Sequence, residues 1–248
     1  KNISLCFVLA SASVSAQPSP VGTASVGGHL KGRLDVTTYP SESAYRDALG
    51  ARSRDLGLEL RLKAAFRQGR WGFAADYQGI ALNAETLRPA GELPGLPLTG
   101  GQVIDDRRRW WNLTHTIGDT DGTLIVHRLD RLNVSWTGAR TVVRFGRQAV
   151  SWGNGLLYNP MDVFNPFDPA AIDTEYKSGD DMLYGQYLFD DGSDLQSVVV
   201  VRRDPVSGEV ESDQSSLAFK YHGFVGANEY DLLAAEHFGD TLLGAGGT

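Results

Sequence analysis

The chain of 248 residues carries 23 basic and 30 acidic side chains, a formal net charge of −7, and no basic stripe interleaved with aromatic residues. This pattern argues against nucleic acid as a partner. The 29 glycines and the 10% of aromatic residues are typical of a β-rich protein with many turns, and a lone cysteine, Cys6, excludes an internal disulfide framework and a thiolate metal site.

The first 16 residues have the pattern of an export signal. Lys1 gives a positive start, residues 3–10 form an apolar core, and Val14-Ser15-Ala16 places small residues where a signal peptidase cleaves. We therefore predict a signal peptide at 1–16, a linker at 17–28 and one domain at 29–248. An ordinary buried strand or helix is the alternative for the first segment. No later stretch has 18 uninterrupted apolar residues, so we expect no helix that spans a bilayer.

Strict alternation of apolar and polar residues marks the segment 55–82. Leucines occupy the even positions from Leu56 to Leu62, and glycine and charged residues stand between them. After Gln68-Gly69 a second alternating run begins at Trp71. A period of two predicts a β-hairpin, and strands of about 13 residues exceed the usual 5–6. Such length suits strands that cross a bilayer, although a soluble β-sandwich would show the same alternation.

Further hairpins are predicted around the turns at 137–140, 190–193 and 223–228, and another strand begins at 241–243. Longer polar segments at 39–54, 83–122, 151–180 and 204–213 separate them. Short turns that alternate with long connections are typical of transmembrane barrels. We therefore predict an all-β fold, an antiparallel transmembrane β-barrel that is truncated at its C-terminus, with about 9–10 strands present.

The segment 146–182 contains a distinctive motif of glycines, tryptophan and asparagine–proline pairs. Its elements are Gly146-Arg147-Gln148, Trp152-Gly153, Gly155, Asn159-Pro160, Asp162, Phe164-Asn165-Pro166 and Asp168-Pro169. With this motif, residues 128–203 resemble a family of Gram-negative outer-membrane barrels that is similar to porins and alginate-export barrels and is mostly uncharacterised. The resemblance implies an outer-membrane barrel and supplies neither a substrate nor a binding residue.

The prolines of this motif cannot continue a strand, and the residues between them are too apolar for an exposed loop. We expect the segment to fold onto the inner wall of the barrel as a constriction or plug. Its acidic residues could favour cations in a pore, bind divalent ions at the rim, or form a solvated loop with turn roles. The candidates for the constriction are Tyr158, Asp162, Phe164, Phe167, Asp168, Asp173 and Glu175.

Polar residues that alternate with apolar neighbours are candidates for the lining of the pore. They are Glu59, Arg61, Lys63, Asp76, Gln78, Arg144, Arg202 and Lys220. A separate cluster, Arg107-Arg108-Arg109 followed by Trp110 and Trp111, could contact lipid phosphates or a sugar. Its alternative is an ordinary exposed loop.

The five histidines lack the spacing of a metal site, and no nucleophile elbow or phosphate-binding glycine loop occurs. We therefore expect no catalytic residue, metal or cofactor. The predicted function is an outer-membrane channel for the passive or gated passage of small solutes or for export of a polymer. Expected partners are outer-membrane lipid, lipopolysaccharide and an unidentified small solute or polysaccharide. A surface receptor, adhesin or structural barrel is the alternative, followed by a barrel-borne hydrolase.

Overall fold

The computed structural model describes residues 2–15, 22–87, 105–120, 122–152, 161–166 and 176–247. Twelve strands form one sheet, with a short helix α1 (Ala44–Leu49) and a 3-10 turn (Glu85–Leu87) outside it. The strands are β1 (Asn2–Ser15), β2 (Thr23–Thr38), β3 (Arg52–Gln68), β4 (Trp71–Ala84), β5 (Thr114–Thr120), β6 (Thr123–Thr137), β7 (Thr141–Gln148), β8 (Asp180–Leu188), β9 (Asp194–Val200), β10 (Ser216–Val225), β11 (Asn228–His237) and β12 (Asp240–Gly247). In these ranges no helix has the length and apolar character needed to cross a membrane.

The sheet is an antiparallel meander, and the prediction of an all-β antiparallel fold is confirmed. Each strand pairs with its neighbours in sequence, except that β4 pairs with β6 while β5 pairs with β6 outside the main path. β1 and β12 form the two edges, so the sheet is not closed. The described strands outnumber the predicted 9–10 because β1 and β5 also join the sheet.

Three segments differ from the sequence-based expectation. Residues 2–15, predicted as part of a signal peptide, form β1 and pair with β2, and the signal peptide itself stays a prediction. β2 begins at Thr23, inside the predicted linker 17–28. β5 lies within the predicted polar connection 83–122. Its sequence is mostly polar and has no regular alternation. It pairs only with the first part of β6.

The connections differ in length between the two ends of the sheet. Turns at 69–70, 138–140, 189–193 and 226–227 lie at one end, called here the short-turn end. The connections 39–51, 85–113, 149–179 and 201–215 begin and end at the opposite, long-connection end, where β5 is also followed by β6 and β11 by β12. At the short-turn end Gly69 has φ +58°, a left-handed conformation that glycine adopts without steric cost.

The two faces of the sheet have opposite chemical character. The leucines of β3 are exposed, for example Leu62 at 49%, whereas Arg61 between them is 2% exposed. One face, called here the apolar face, exposes Leu56, Leu58, Leu60, Leu62, Phe73, Phe145, Leu183, Val199, Leu217, Phe219, Leu232 and Leu243. The other, called the polar face, buries His29, Lys31, Arg61, Gln78, Arg128, Lys220 and Asp231. This arrangement is the reverse of that in a soluble sheet protein, which buries its apolar face.

An apolar core lies on the polar-face side of β8–β11. Its sheet residues are Met182, Tyr184, Val198, Val200, Ala218, Leu233 and Ala235. Val150, Trp152 and Phe164 cover them, and all three belong to the connection between β7 and β8. The core therefore joins this connection to the sheet.

Candidate functional site

The connection 149–179, called here the β7–β8 connection, is packed onto the polar face through two buried aromatic residues. Trp152 and Phe164 are each 2% exposed, and their rings meet edge-on with centroids 5.3 Å apart. Trp152 Nε1 donates a hydrogen bond to Gln196 Oε1 of β9 at 2.7 Å. The Phe164 ring lies 5.6 Å from the His237 ring at the end of β11. Both anchors thus reach strands on the β9–β11 side.

Met161 extends this contact to β12. A Cβ atom on Gly244 would lie 3.3 Å from Met161 Cγ, and one on Gly246 would lie 2.8 Å from Met161 Cε. Glycine at these positions lets the β7–β8 connection approach the backbone of β12 closely.

Tyr176, at the other end of the β7–β8 connection, contacts β2 and β3 on the same polar face. Its ring stacks on His29 with centroids 5.2 Å apart, and Arg61 Cζ and Lys63 Nζ lie 4.4 and 3.9 Å from its centroid. Lys63 Nζ also donates a hydrogen bond to the Tyr176 hydroxyl, and Lys31 Nζ is 5.3 Å from the ring. Cations over an aromatic face are favourable. The β7–β8 connection therefore contacts the polar face on both sides of the strands it joins.

Lys177 and Asp162 tie the three described parts of the connection (149–152, 161–166 and 176–179) together. Lys177 Nζ donates to the Asp162 carboxylate and, at 2.7 Å, to the carbonyl of Val150. Asp162 also accepts a hydrogen bond from the amide of Trp152 at 3.2 Å. Burial lowers the pKa of Lys177 below its usual value, although the hydrogen bond and charge of Asp162 oppose that shift.

A buried charge network centred on Asp130 lies beside Tyr176. Asp130 forms ion pairs with Arg61 at 2.9 Å, Arg131 at 2.7 Å and Arg128 at 3.4 Å. Arg128 Nε donates to Gln78 Oε1 at 2.7 Å. Buried charges persist only when they are paired and hydrogen-bonded. One carboxylate thus holds three guanidinium groups on the polar face.

The predicted pore-lining residues are distributed along this network and its neighbours. Glu59 lies 3.3 Å from Arg61, and Asp76 pairs in register with Lys63. The remaining candidates have partners on other strands: Arg144 stacks on Tyr184, Arg202 pairs with Asp180 at 2.6 Å, and Lys220 pairs with Asp231 at 3.0 Å. The structure therefore brings Glu59, Arg61, Lys63, Asp76 and Gln78 together and places Arg144, Arg202 and Lys220 apart from them.

Of the predicted constriction residues, Asp162 and Phe164 have the positions described above. Tyr158, Phe167, Asp168, Asp173 and Glu175 lie outside the described residues.

A second buried ionic cluster fastens the long-connection end. Asp106 accepts hydrogen bonds from Arg109 at 2.7 Å and Arg147 at 2.9 Å, and Asp181 accepts from Arg147 at 2.8 Å. Burial pushes the pKa of Asp106 upward, but hydrogen bonds and charges from Arg147 and Arg109 outweigh it, so this pKa lies below its usual value. Gly146, at φ +122°, precedes Arg147, and both residues stay in register with β6 and β8, so Arg147 lies on the same side of β7 as Phe145.

Sequence reasoning missed Arg128, Asp130, Arg131, Asp106 and Asp181 as members of these clusters. Three of them form the run Arg128-Leu129-Asp130-Arg131 within a strand. Charges so close together in a strand are the signal that could have identified them, since they must be paired when buried.

One serine–histidine pair bears on the hydrolase alternative. Ser216 Oγ lies 2.8 Å from His237 Nδ1 and accepts a hydrogen bond from Arg202 at 2.7 Å. Ser216 is 4% exposed, and Phe164 packs on the histidine ring. A hydroxyl buried in this way offers no open nucleophile, so the pair serves as a structural contact here. In the described ranges, no three His, Cys, Asp or Glu side chains are grouped as metal ligands.

No protein-family model, no curated protein and no solved structure matches this chain. The polarity of the two faces and the contacts of the β7–β8 connection are therefore the features of the chain that bear on function.

Proposed function

We propose that this chain forms part of an outer-membrane β-barrel that acts as a channel for small solutes or for export of a polymer. The observation that carries the proposal is the reversed polarity of the sheet. Leu62 and its outward neighbours are exposed, while Arg61 and Asp130 are buried on the other face. In a barrel, the apolar face would contact lipid and the polar face would line the lumen.

The meander topology supports the same proposal. Transmembrane barrels are built from neighbouring antiparallel strands, with short turns at one membrane surface and longer loops at the other. A barrel has no free edges, so both edges of this sheet would have to be paired in a closed barrel. If residues 1–16 are removed as a signal peptide, β2 becomes the edge that is available for this closure.

The β7–β8 connection would constrict the lumen. Phe164 and Met161 hold it against β8–β12, and Tyr176 holds it against β2–β3. A connection fixed to both sides of the inner face would narrow the path for solutes. The width and charge of this narrow region would then determine which solutes pass.

Planar-bilayer recording with the full-length protein tests the proposal. We expect discrete conductance steps, and a deletion of residues 156–171 should raise the single-channel conductance. A matched control deletes residues 205–210 from a different connection at the same end and should leave the conductance unchanged. Unchanged conductance in the 156–171 deletion would remove the constriction from the proposal.

Two alternatives give different results in the same experiments. A receptor, adhesin or structural barrel would fractionate with the outer membrane and give few or no openings. A hydrolase would release product from lipid or peptide substrates. Recovery of the intact protein from the soluble periplasm would overturn the proposed membrane location.

A further inference from the structure

Two exposed arginines are held side by side at the long-connection end. Arg109 and Arg202 form an antiparallel bridge, and the amide of Arg203 donates to the carbonyl of Arg108 at 2.9 Å. Side chains along extended backbone alternate between two faces. Arg109 and Arg202 are accordingly buried, whereas Arg108 and Arg203 are exposed.

Within the described part of the chain, the side chains of Arg108 and Arg203 donate hydrogen bonds only to neutral oxygen atoms, and Arg108 also lies 6.0 Å from the centroid of the Phe238 ring. Arg108 Nη1 donates to Gln214 Oε1 at 3.3 Å. Arg203 donates from Nε to the Trp110 carbonyl at 3.1 Å and from Nη1 to the Gly208 carbonyl at 3.4 Å. A guanidinium group carries five N–H donors. Each arginine therefore keeps N–H donors for an anionic ligand, and neither forms an ion pair within the described residues.

The acidic residue that follows Arg203 in the chain, Asp204, accepts hydrogen bonds from its own turn. Asp204 accepts hydrogen bonds from the amides of Val206 at 2.8 Å and Ser207 at 2.7 Å. These backbone hydrogen bonds, first that of Ser207, lower the pKa of Asp204, and the charge of Arg108 contributes last. The carboxylate of Asp204 thus caps the turn at 204–207. It forms no ion pair with Arg108 or Arg203.

Two tryptophans lie next to the arginines at the border of the apolar face. The rings of Trp110 and Trp111 stack with centroids 5.6 Å apart, and Phe145 meets them edge-on at 6.3 and 5.5 Å. Phe145 lies on the apolar face, where it pairs in register with Leu183. Tryptophan prefers the headgroup level of a membrane, where its ring is apolar and its N–H is hydrated.

We infer that Arg108 and Arg203 bind a phosphate group of an outer-leaflet glycolipid, with Trp110 and Trp111 at headgroup level and an acyl chain along Phe145 and Leu183. The inference rests on the proposed function, because it needs the apolar face in lipid and the long connections at the outer surface. The planar guanidinium fork matches two phosphate oxygens at once. A ligand with both a phosphate and an acyl chain satisfies both parts of this surface.

Lipid retention by the full-length protein tests the inference. The protein is incorporated into phosphatidylcholine vesicles that contain either phosphorylated or dephosphorylated lipid A, and the retained lipid A is measured by mass spectrometry after detergent extraction. The double variant Arg108→Gln/Arg203→Gln should weaken binding of phosphorylated lipid A by about tenfold or more, the equivalent of one charge-assisted hydrogen bond.

Arg70→Gln/Arg140→Gln is the matched control. Both residues are exposed at the short-turn end, and Arg70 lies 5.8 Å from the Trp136 ring, so the control repeats the arginine–tryptophan chemistry at the other surface. We expect the control to retain lipid A as the native protein does. Excess inorganic phosphate should not displace the lipid, because free phosphate lacks the acyl chain.

Three results would overturn the inference: equal retention in the Arg108/Arg203 variant, equal binding of dephosphorylated lipid A, or full displacement by inorganic phosphate. The last would identify a site for free phosphate. Conductance of the same samples separates this failure from failure of the proposed function. A conducting channel with unaltered lipid retention contradicts only the lipid site, whereas a protein without conductance and outside the outer membrane contradicts the channel.

Discussion

Arg61 and Asp130 meet at 2.9 Å on the polar face, although 69 residues separate them in the chain. Both side chains are 2% exposed. Arg61 belongs to β3 and Asp130 to β6, so the pair reaches across the intervening β4. This ion pair connects β3 of the first long hairpin to β6, the strand that pairs with β7.

Asp130→Asn should destabilise the protein. The substitution removes the charge that compensates Arg61, Arg128 and Arg131, and breaking a buried pair costs about 3–5 kcal/mol. Guanidinium unfolding of the protein in detergent micelles measures the difference. Asp190→Asn is the control, because Asp190 pairs with Arg140 in an exposed turn. It should change the free energy of unfolding by about 1 kcal/mol or less. Equal effects of the two substitutions would contradict the role of the network.

Phe164→Ala should detach one anchor of the β7–β8 connection. Loss of a buried phenylalanine costs about 3–5 kcal/mol where the surroundings cannot collapse, and the released connection should increase single-channel conductance. Phe219→Ala is the matched control, because Phe219 is 46% exposed on the apolar face. That variant should keep the native conductance. A Phe164→Ala channel with native conductance would argue against this anchor.

Gly146→Ala should disturb the end of β7. Gly146 has φ +122°, and a Cβ atom there would lie 2.2 Å from the Leu132 carbonyl oxygen. The backbone must shift, and Arg147 would lose its alignment with Asp106 and Asp181. We expect a loss of at least about 2 kcal/mol in unfolding free energy. Gly208→Ala is the control, since it shares a positive φ but has nothing within 4 Å. It should cost about 1 kcal/mol.

The Asp106 cluster should make stability depend on pH in the acidic range. The pKa of Asp106 is lower in the folded protein than in the unfolded chain, so its contribution is complete above about pH 4. It is lost as the pH falls through the folded-state value, because the unfolded chain binds the proton more readily.

Unfolding free energies of the native protein and Asp106→Asn, measured from pH 7 to pH 3, should therefore converge toward the acid end. Asp119→Asn, an exposed substitution in β5, provides the comparison. A constant difference between the native protein and Asp106→Asn across this range would contradict the expected titration.

The sequence was sufficient to predict the hairpin of β3 and β4 and the polarity of its two faces. Uninterrupted alternation determines which side chains share a face, and Leu62 and Arg61 lie on opposite faces as expected. β5 could not be predicted, because its polar residues have no alternation to mark a strand. The strand order around it depends on pairing between distant segments.

The candidate site was predictable in part. The alternation of side chains along each strand identified Arg61, Lys63 and Gln78 as polar-face residues. It could not identify their partners, because the pairing of β4 with β6 shifts register between Asp76 and Tyr77 and leaves Asp130 between paired positions. Nor could it place Tyr176, whose neighbours come from strands more than a hundred residues earlier.

In the proposed channel, the unequal lengths of the strands would give the pore a slanted opening. β3 has 17 residues and β9 has 7, which at about 3.3 Å per residue correspond to lengths along the strand of roughly 56 and 23 Å, and the tilt of barrel strands makes the wall heights smaller than these lengths. One side of the rim would then stand well above the bilayer while the opposite side ends near its surface. Solutes would then enter over the side formed by the short strands and meet the longer strands opposite before they descend.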